Sequence, residues 1–264
     1  MLSYQLAKSL FFPKLSYVTF YAKIRRLIHD DYLVERDGSD LEVCVLQLTK
    51  KSFLHIKYDL PFLKEDRFAA QSVTHDYLAT AFQLGEFALT PSQDVEFFTE
   101  QEIQCSDDSL LPDWMPNSRE HVPDGLTRIK NEKFESVFGF EMELNLKPWL
   151  RYTKAANYFD GMDSKIDVVF WICGNVGLMK NIFDHLLGLR LRRMDIHHFV
   201  LLDDFKKDGW NCLTRSGREK NQSVRDMYLQ RSHIIATKLP QNPTLTEMQE
   251  LFFSKRKSPL VLDC

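Results

Sequence analysis

The sequence predicts an α/β protein, α+β overall, with a helical N-terminal part followed by a mixed-sheet domain. Two observations point there. From residue 121 onward, strand-like and nearly all-apolar runs alternate with helix-periodic segments, which is the pattern of an α/β sheet. Residues 1–60 instead place two short helices ahead of a strand pair. A chain of 264 residues, 44% hydrophobic and 27% charged, is long and apolar enough for one large core or two modest ones.

The opening "SYQLAKSLFF" reads as a short helix, stopped by Pro13-Lys14. In "SYVTFYAKIRRLIHDDYL", Ser16 is placed to cap a second helix, and Phe20, Ile24, Leu27 and Ile28 recur at helical spacing. "VERDGSD" is a turn with Asp37-Gly38 at its tip, and "LEVCVLQLT" alternates as a strand does. Two helices and a hairpin in this order form the layout of a winged helix-turn-helix, lacking the usual first helix. Its recognition helix would expose Tyr17, Thr19, Tyr21, Lys23 and Arg26 to duplex DNA, and its wing would carry Arg36. An αα hairpin packed on a β hairpin is the plainer alternative.

Residues 68–84 form a further helix, with His75 read as a packing or hydrogen-bonding residue. The acidic stretch from Asp94 to Asp113 begins strand-like and continues as a loop, and is expected to be a solvated connection, with mimicry of a phosphate backbone or docking of a basic partner as the alternative. "HVPDGLTRI" turns into a strand, and "VFGFEMELNL" puts Phe138, Phe140, Met142 and Leu144 on one face and Glu141, Glu143 and Asn145 on the other. "KPWLRYTKAANYF" is a helix with Pro148 in its first turn, and "KIDVVFWICGN" a strand buried on both faces. "VGLMKNIFDHLLGLRL" is a helix, "IHHFVLLDDF" a strand and "PTLTEMQELFFSKRK" a last helix. The expected domains are a winged helix over 1–60, a helical and acidic connection over 61–120, and an α/β domain over 121–264 with a basic C-terminal extension.

Charge is unevenly spread around a net of −3. Residues 61–125 carry three Lys/Arg against thirteen Asp/Glu, whereas residues 187–235 carry ten against six. Nucleic-acid affinity follows local clustering, so the total excludes only a coat-like electrostatic binder. Arg192 and Arg193 lie in the basic stretch and are expected to add a DNA surface or to be a solvated helix end. Five dispersed cysteines, with no metal-ligand spacing, suggest reduced thiols. No signal pattern or apolar run of spanning length is visible, so the expectation is a cytoplasmic protein with no membrane partner.

Asp124, Glu141, Glu143 and Lys147 are the candidate catalytic set, with Asp124, Glu141 and Glu143 as oxygen ligands for Mg2+. The alternative is a turn and an edge strand with two exposed glutamates. The set resembles the PD-(D/E)xK nuclease core, in which an Asp on one strand precedes Glu-x-Lys on its neighbour; here Glu143 stands in the lysine position and Lys147 follows four residues later. The wider order resembles the replication-relaxation family of plasmids and integrative elements over roughly residues 1 to 205. The residues that carry it are His75 and Leu78, "PDG", Glu141-x-Glu143, Lys147, Arg151-Tyr152, Tyr158 and the "DVVFWICGN" strand. The resemblance implies a DNA-binding accessory protein of a mobile genetic element, acting in replication, conjugative transfer or regulation. It implies a winged helix joined to a PD-(D/E)xK-like domain, with Tyr152 also at the cleft. Double-stranded DNA, a second copy as homodimer and other mobile-element proteins are the expected partners. A Mg2+-dependent endonuclease and a protein-interaction module without DNA binding are the competing readings.

Overall fold

The computed structural model describes residues 1–38, 43–56, 72–88, 94–105, 111–116, 120–130, 134–162, 164–217 and 220–231. The chain divides into two units, Met1–Leu89 and Thr90–Asn242. The sequence-predicted last helix, 243–257, lies outside the described residues. None of the described helices is long and apolar enough to cross a membrane.

In the first unit, strand β1 (Leu2–Ser3) leads into helices α1 (Tyr4–Phe11) and α2 (Tyr17–His29). Strands β2 (Leu33–Gly38) and β3 (Val43–Leu48) follow, then α3 (Lys50–Ile56) and α4 (Val73–Leu84). The three strands form an antiparallel sheet of order β1-β3-β2. Ser3 Oγ accepts the Leu6 N–H and Ser16 Oγ accepts the Thr19 N–H at 3.2 Å, so each helix begins at a serine that satisfies one of its free amides. One sheet face, through Leu46, packs on Tyr4, Ala7, Phe20 and Ile24 of the two helices. The opposite face, through Val43 and Val45, packs on Tyr77 of α4. Asp37 and Gly38, expected at the tip of a turn, end β2 as ladder residues opposite Cys44 and Val43.

The second unit is built on a five-stranded sheet of order β4-β5-β6-β7-β8. Its strands are β4 (Val95–Thr99), β5 (Gly125–Lys130), β6 (Glu135–Glu143), β7 (Ile166–Cys173) and β8 (His197–Leu201). The first three are antiparallel, while β7 and β8 run parallel to β6 through the crossover helices α6 (Trp149–Asp160) and α7 (Val176–Gly188). The acidic stretch is part of this unit: its start supplies edge strand β4, and Glu100–Cys105 forms α5 where a loop was expected. Glu96 stands opposite Arg128 and binds it at 2.6 Å, which ties the acidic edge strand to its neighbour. The expected strand over 196–205 is shorter, because Leu202–Asp208 coils into α8.

Both faces of the sheet are covered. On one, Tyr152, Ala155, Ala156 and Phe159 of α6 and Leu178, Ile182 and Leu186 of α7 bury Val137, Val169 and Trp171. On the other, Phe138 and Phe170 meet Tyr228 of α9 (Val224–Arg231), and Tyr228 stacks on Trp210 at 4.4 Å. β6 is therefore a central strand buried on both sides, not an edge.

The seating of α6 depends on Gly139. A Cβ there would lie 2.7 Å from Phe159 Cε1, so the missing side chain lets the helix approach the strand. Gly139→Ala should lower stability by about 1–3 kcal/mol, because the buried Phe159 ring has little room to yield. Gly188→Ala, whose Cβ would meet nothing within 4 Å, is the control. Equal denaturation midpoints for both variants and the wild type would show that Phe159 does not hold this packing.

Candidate functional site

Strand alternation places Gly139, Glu141 and Glu143 on the face of β6 that looks toward α6. Trp171 and Cys173 of β7 stand opposite the two glutamates. Asp124 immediately precedes β5, two residues before Leu126, which shares that face with Gly139. The carboxylate of Asp124 continues the ladder beyond the strand, accepting the Met142 N–H at 2.6 Å between the two glutamates. Asp124, Glu141 and Glu143 thus gather at the C-terminal end of the central strand. Glu141 and Glu143 are each 1% exposed and Asp124 5%.

Buried carboxylates need partners, and each has one. His121 Nε2 lies 2.6 Å from Glu141 Oε1, with its ring edge-on to Tyr158 and Phe159 of α6. Lys147 Nζ donates to Glu143 Oε1 at 3.0 Å, so the lysine folds back over the end of β6. Tyr152 accepts the Lys147 N–H at 2.9 Å and extends its hydroxyl toward Glu143 Oε2. Asn145, expected beside the glutamates, lies past the strand end and is exposed.

The electrostatics follow from this burial. Desolvation pushes the Glu143 carboxyl up to about 7, offset in part by Lys147 and reinforced by Glu141 and Asp124. Burial also raises Glu141, and the His121 hydrogen bond counters it only in part. Burial pulls His121 down, but the Glu141 charge and hydrogen bond outweigh it, leaving its pKa raised. Both members of the pair are shifted upward, so they titrate as one coupled unit rather than as two independent groups.

The donor set has the hard oxygens that magnesium prefers. Its arrangement does not form a metal cage: among the described residues, no group of three His, Cys, Asp or Glu side chains is placed to hold a metal ion. Each carboxylate is engaged by the protein's own donors. The sequence reading named four of these residues and Tyr152. It missed His121, although that histidine opens the same "HVPDG" string; only the fold shows that it reaches Glu141 across 20 residues.

The candidate DNA contacts of the first unit are unequal. Thr19, Lys23 and Arg26 are exposed on α2, and Arg26 lies 3.6 Å from Asp30. Tyr17 is 43% exposed and donates to Gln5 Oε1, with Lys8 Nζ over its ring. Tyr21 is half-buried against Tyr4 and Phe20. Val18, Ala22 and Arg25, not singled out from sequence, are exposed on the same helix, with Val18 at 81%. Arg36 is exposed on β2 with Nε 3.4 Å from Gln47 Oε1.

Arg192 and Arg193 have internal work. The Asp160 carboxylate accepts both of their backbone N–H groups at 2.8 Å, and the Arg192 guanidinium donates to the Asp160 and Gly161 carbonyls at the end of α6. Arg193 donates to the Ser164 and Ile166 carbonyls and is half-buried. Their donors satisfy helix-end and strand-start carbonyls rather than projecting freely.

Cys173 and Cys212 are buried thiols outside any disulfide, each pushed up by desolvation, and Cys44 is half-buried.

The raised Glu143 makes a pH prediction. The unfolded carboxyl releases its proton near 4.5 and the folded one at about 7. Between these values the folded state holds the extra proton, so stability falls as pH rises across that window. Glu143→Gln should flatten this fall and raise the unfolding free energy from urea titration at pH 8 above the wild type's by about 1–3 kcal/mol once the lost Lys147 pair is included. Parallel stability–pH curves for the two proteins would exclude an elevated Glu143. No family model, curated protein or solved structure matches this chain.

Proposed function

We propose that the protein is a DNA-binding accessory protein of a mobile genetic element, acting in its replication, transfer or regulation. The observation that carries this reading is α2. It is a serine-capped helix whose outer face presents Val18, Thr19, Ala22, Lys23, Arg25 and Arg26, followed by the β2–β3 hairpin with Arg36. The Lys23 ammonium has no hydrogen bond or ion pair among the described residues, so its charge is open to a phosphate. The order β1-α1-α2-β2-β3 supports a winged helix. The β4-β5-β6 meander with α6 crossing to parallel β7, and Asp124 ahead of Glu141-x-Glu143, supports the PD-(D/E)xK-like reading of the second unit and the likeness to the replication-relaxation family. On this reading Lys23, Arg26 and Arg36 hold phosphates, and Thr19, Val18 and Ala22 meet base edges in the major groove.

Lys23→Ala/Arg26→Ala should weaken binding to duplexes of every sequence and flatten the salt dependence by about one to two phosphate contacts. The measurement is fluorescence anisotropy against the DNA flanking the protein's own gene, over a salt series. Undiminished affinity at low salt in the folded double variant would sink this reading.

A metal-dependent endonuclease is the second reading, favoured by the three co-facial carboxylates and by Glu143, which at about 7 can exchange a proton near neutral pH. The ordered partners of those carboxylates make weak or absent cutting the expected result. Supercoiled plasmid incubated with magnesium or manganese should stay intact over hours. Robust nicking that Asp124→Ala abolishes would overturn that expectation and establish the enzyme.

A further inference from the structure

Beside the carboxylate cluster, the first turn of α6 carries a tryptophan in an unusual setting. Trp149 is 45% exposed, whereas Trp114, Trp171 and Trp210 are at most 1% exposed. Its indole stacks on His185 of α7 at 4.9 Å with an interplanar angle of 27°, and His185 is itself fixed by a 3.0 Å hydrogen bond to Thr153. The indole also lies 5.8 Å from the Tyr152 ring, whose hydroxyl reaches Glu143. One side chain therefore separates an exposed, rigid aromatic surface from the buried glutamates.

The surroundings are cationic. Arg151 sits on the other flank of the same turn, exposed and close enough to His121 to oppose the rise in its pKa, and its guanidinium makes no hydrogen bond or ion pair among the described residues. Lys154, one turn on, is likewise exposed and unpaired among the described residues. An ordered aromatic ring loses little side-chain freedom when a ligand stacks on it, and every nucleobase offers a π-face. Cations further round α6 can supply the phosphate contacts that stacking alone lacks, since a strand carries a phosphate on either side of the stacked base.

We propose that Trp149, with Arg151 and Lys154, is a binding site for an unpaired base and its phosphates, so the second unit engages single-stranded or locally unpaired DNA. This rests on the DNA-binding reading above and deepens it: α2 addresses duplex DNA, and Trp149 addresses bases that are not paired. A stacked, intact duplex keeps its base faces covered and cannot satisfy Trp149 without being opened.

Trp149 is the only strongly exposed tryptophan of the four, so intrinsic fluorescence reports on it selectively. The full chain in EDTA should show saturable quenching with an oligothymidylate of about 12 nucleotides. A blunt hairpin duplex, and an abasic phosphodiester of the same length, should quench little. Trp149→Ala should weaken oligothymidylate binding by about tenfold or more, and Trp149→Phe should restore most of that loss. Arg151→Gln should reduce the salt dependence of the same binding by about one phosphate contact. Quenching that persists when Lys23→Ala/Arg26→Ala has lost duplex binding supports a separate single-strand site. Equal affinity for the abasic polymer, or unchanged binding in Trp149→Ala with duplex binding intact, overturns the Trp149 site and leaves the α2 reading standing. Absence of binding to any DNA overturns both.

Discussion

The second unit is organised around two carboxyl groups that cannot reach water. Glu141 and Glu143 occupy the middle strand of a sheet covered on both faces, and each is almost fully enclosed. Isolated carboxylates in that position would cost several kcal/mol apiece. The protein answers with a hydrogen bond from His121, an ammonium returned by Lys147 and a hydroxyl from Tyr152, while Asp124 between them is turned to the Met142 backbone. Those partners come from the segment before β5, the β6–α6 loop and α6 itself, so satisfying the charges also fixes how these elements meet.

Gly139 makes this geometry accessible. By admitting Phe159 against the strand, it brings α6 close enough for Tyr152 to reach Glu143 and for Tyr158 and Phe159 to wall the His121 ring. The same turn of α6 then exposes Trp149 and Arg151 outside the enclosed charges. A buried, internally satisfied cluster with an open aromatic and cationic rim separates what the protein keeps for itself from what it offers to a ligand. Asp160, Arg192 and Arg193 close the far end of α6, which leaves its first turn as the end facing solvent.

The first unit follows a different logic. Its sheet is small, and its stability depends on covering both faces: α1 and α2 on one, α4 on the other. Phe20 and Ile24 spend the inner stripe of α2 on that task, which leaves the outer stripe with the residues that can meet a partner. Tyr21 lies at the border between the two stripes and is drawn inward by three aromatic neighbours.

Local patterns in the sequence determined a good deal. The serine caps, the helical spacing of Phe20 and Ile24, the alternation along β6 and the apolar run of β7 specify local structure, because a cap or a period needs only neighbouring residues. Asp124, Glu141, Glu143 and Lys147 were also legible, as polar residues interrupting apolar strands. What tertiary structure alone decided is where those strands lie. Alternation cannot distinguish a central strand from an edge when its opposite face is covered by distant residues such as Tyr152 or Phe159, so the exposed-glutamate alternative looked equally good in sequence. The role of His121, the edge strand within the acidic stretch and the internal engagement of Arg192 and Arg193 depend on partners 20 to 33 residues away or on another strand. No local period records such partners, because contacts of that separation are set by chain crossings and by the requirement that buried charges be satisfied.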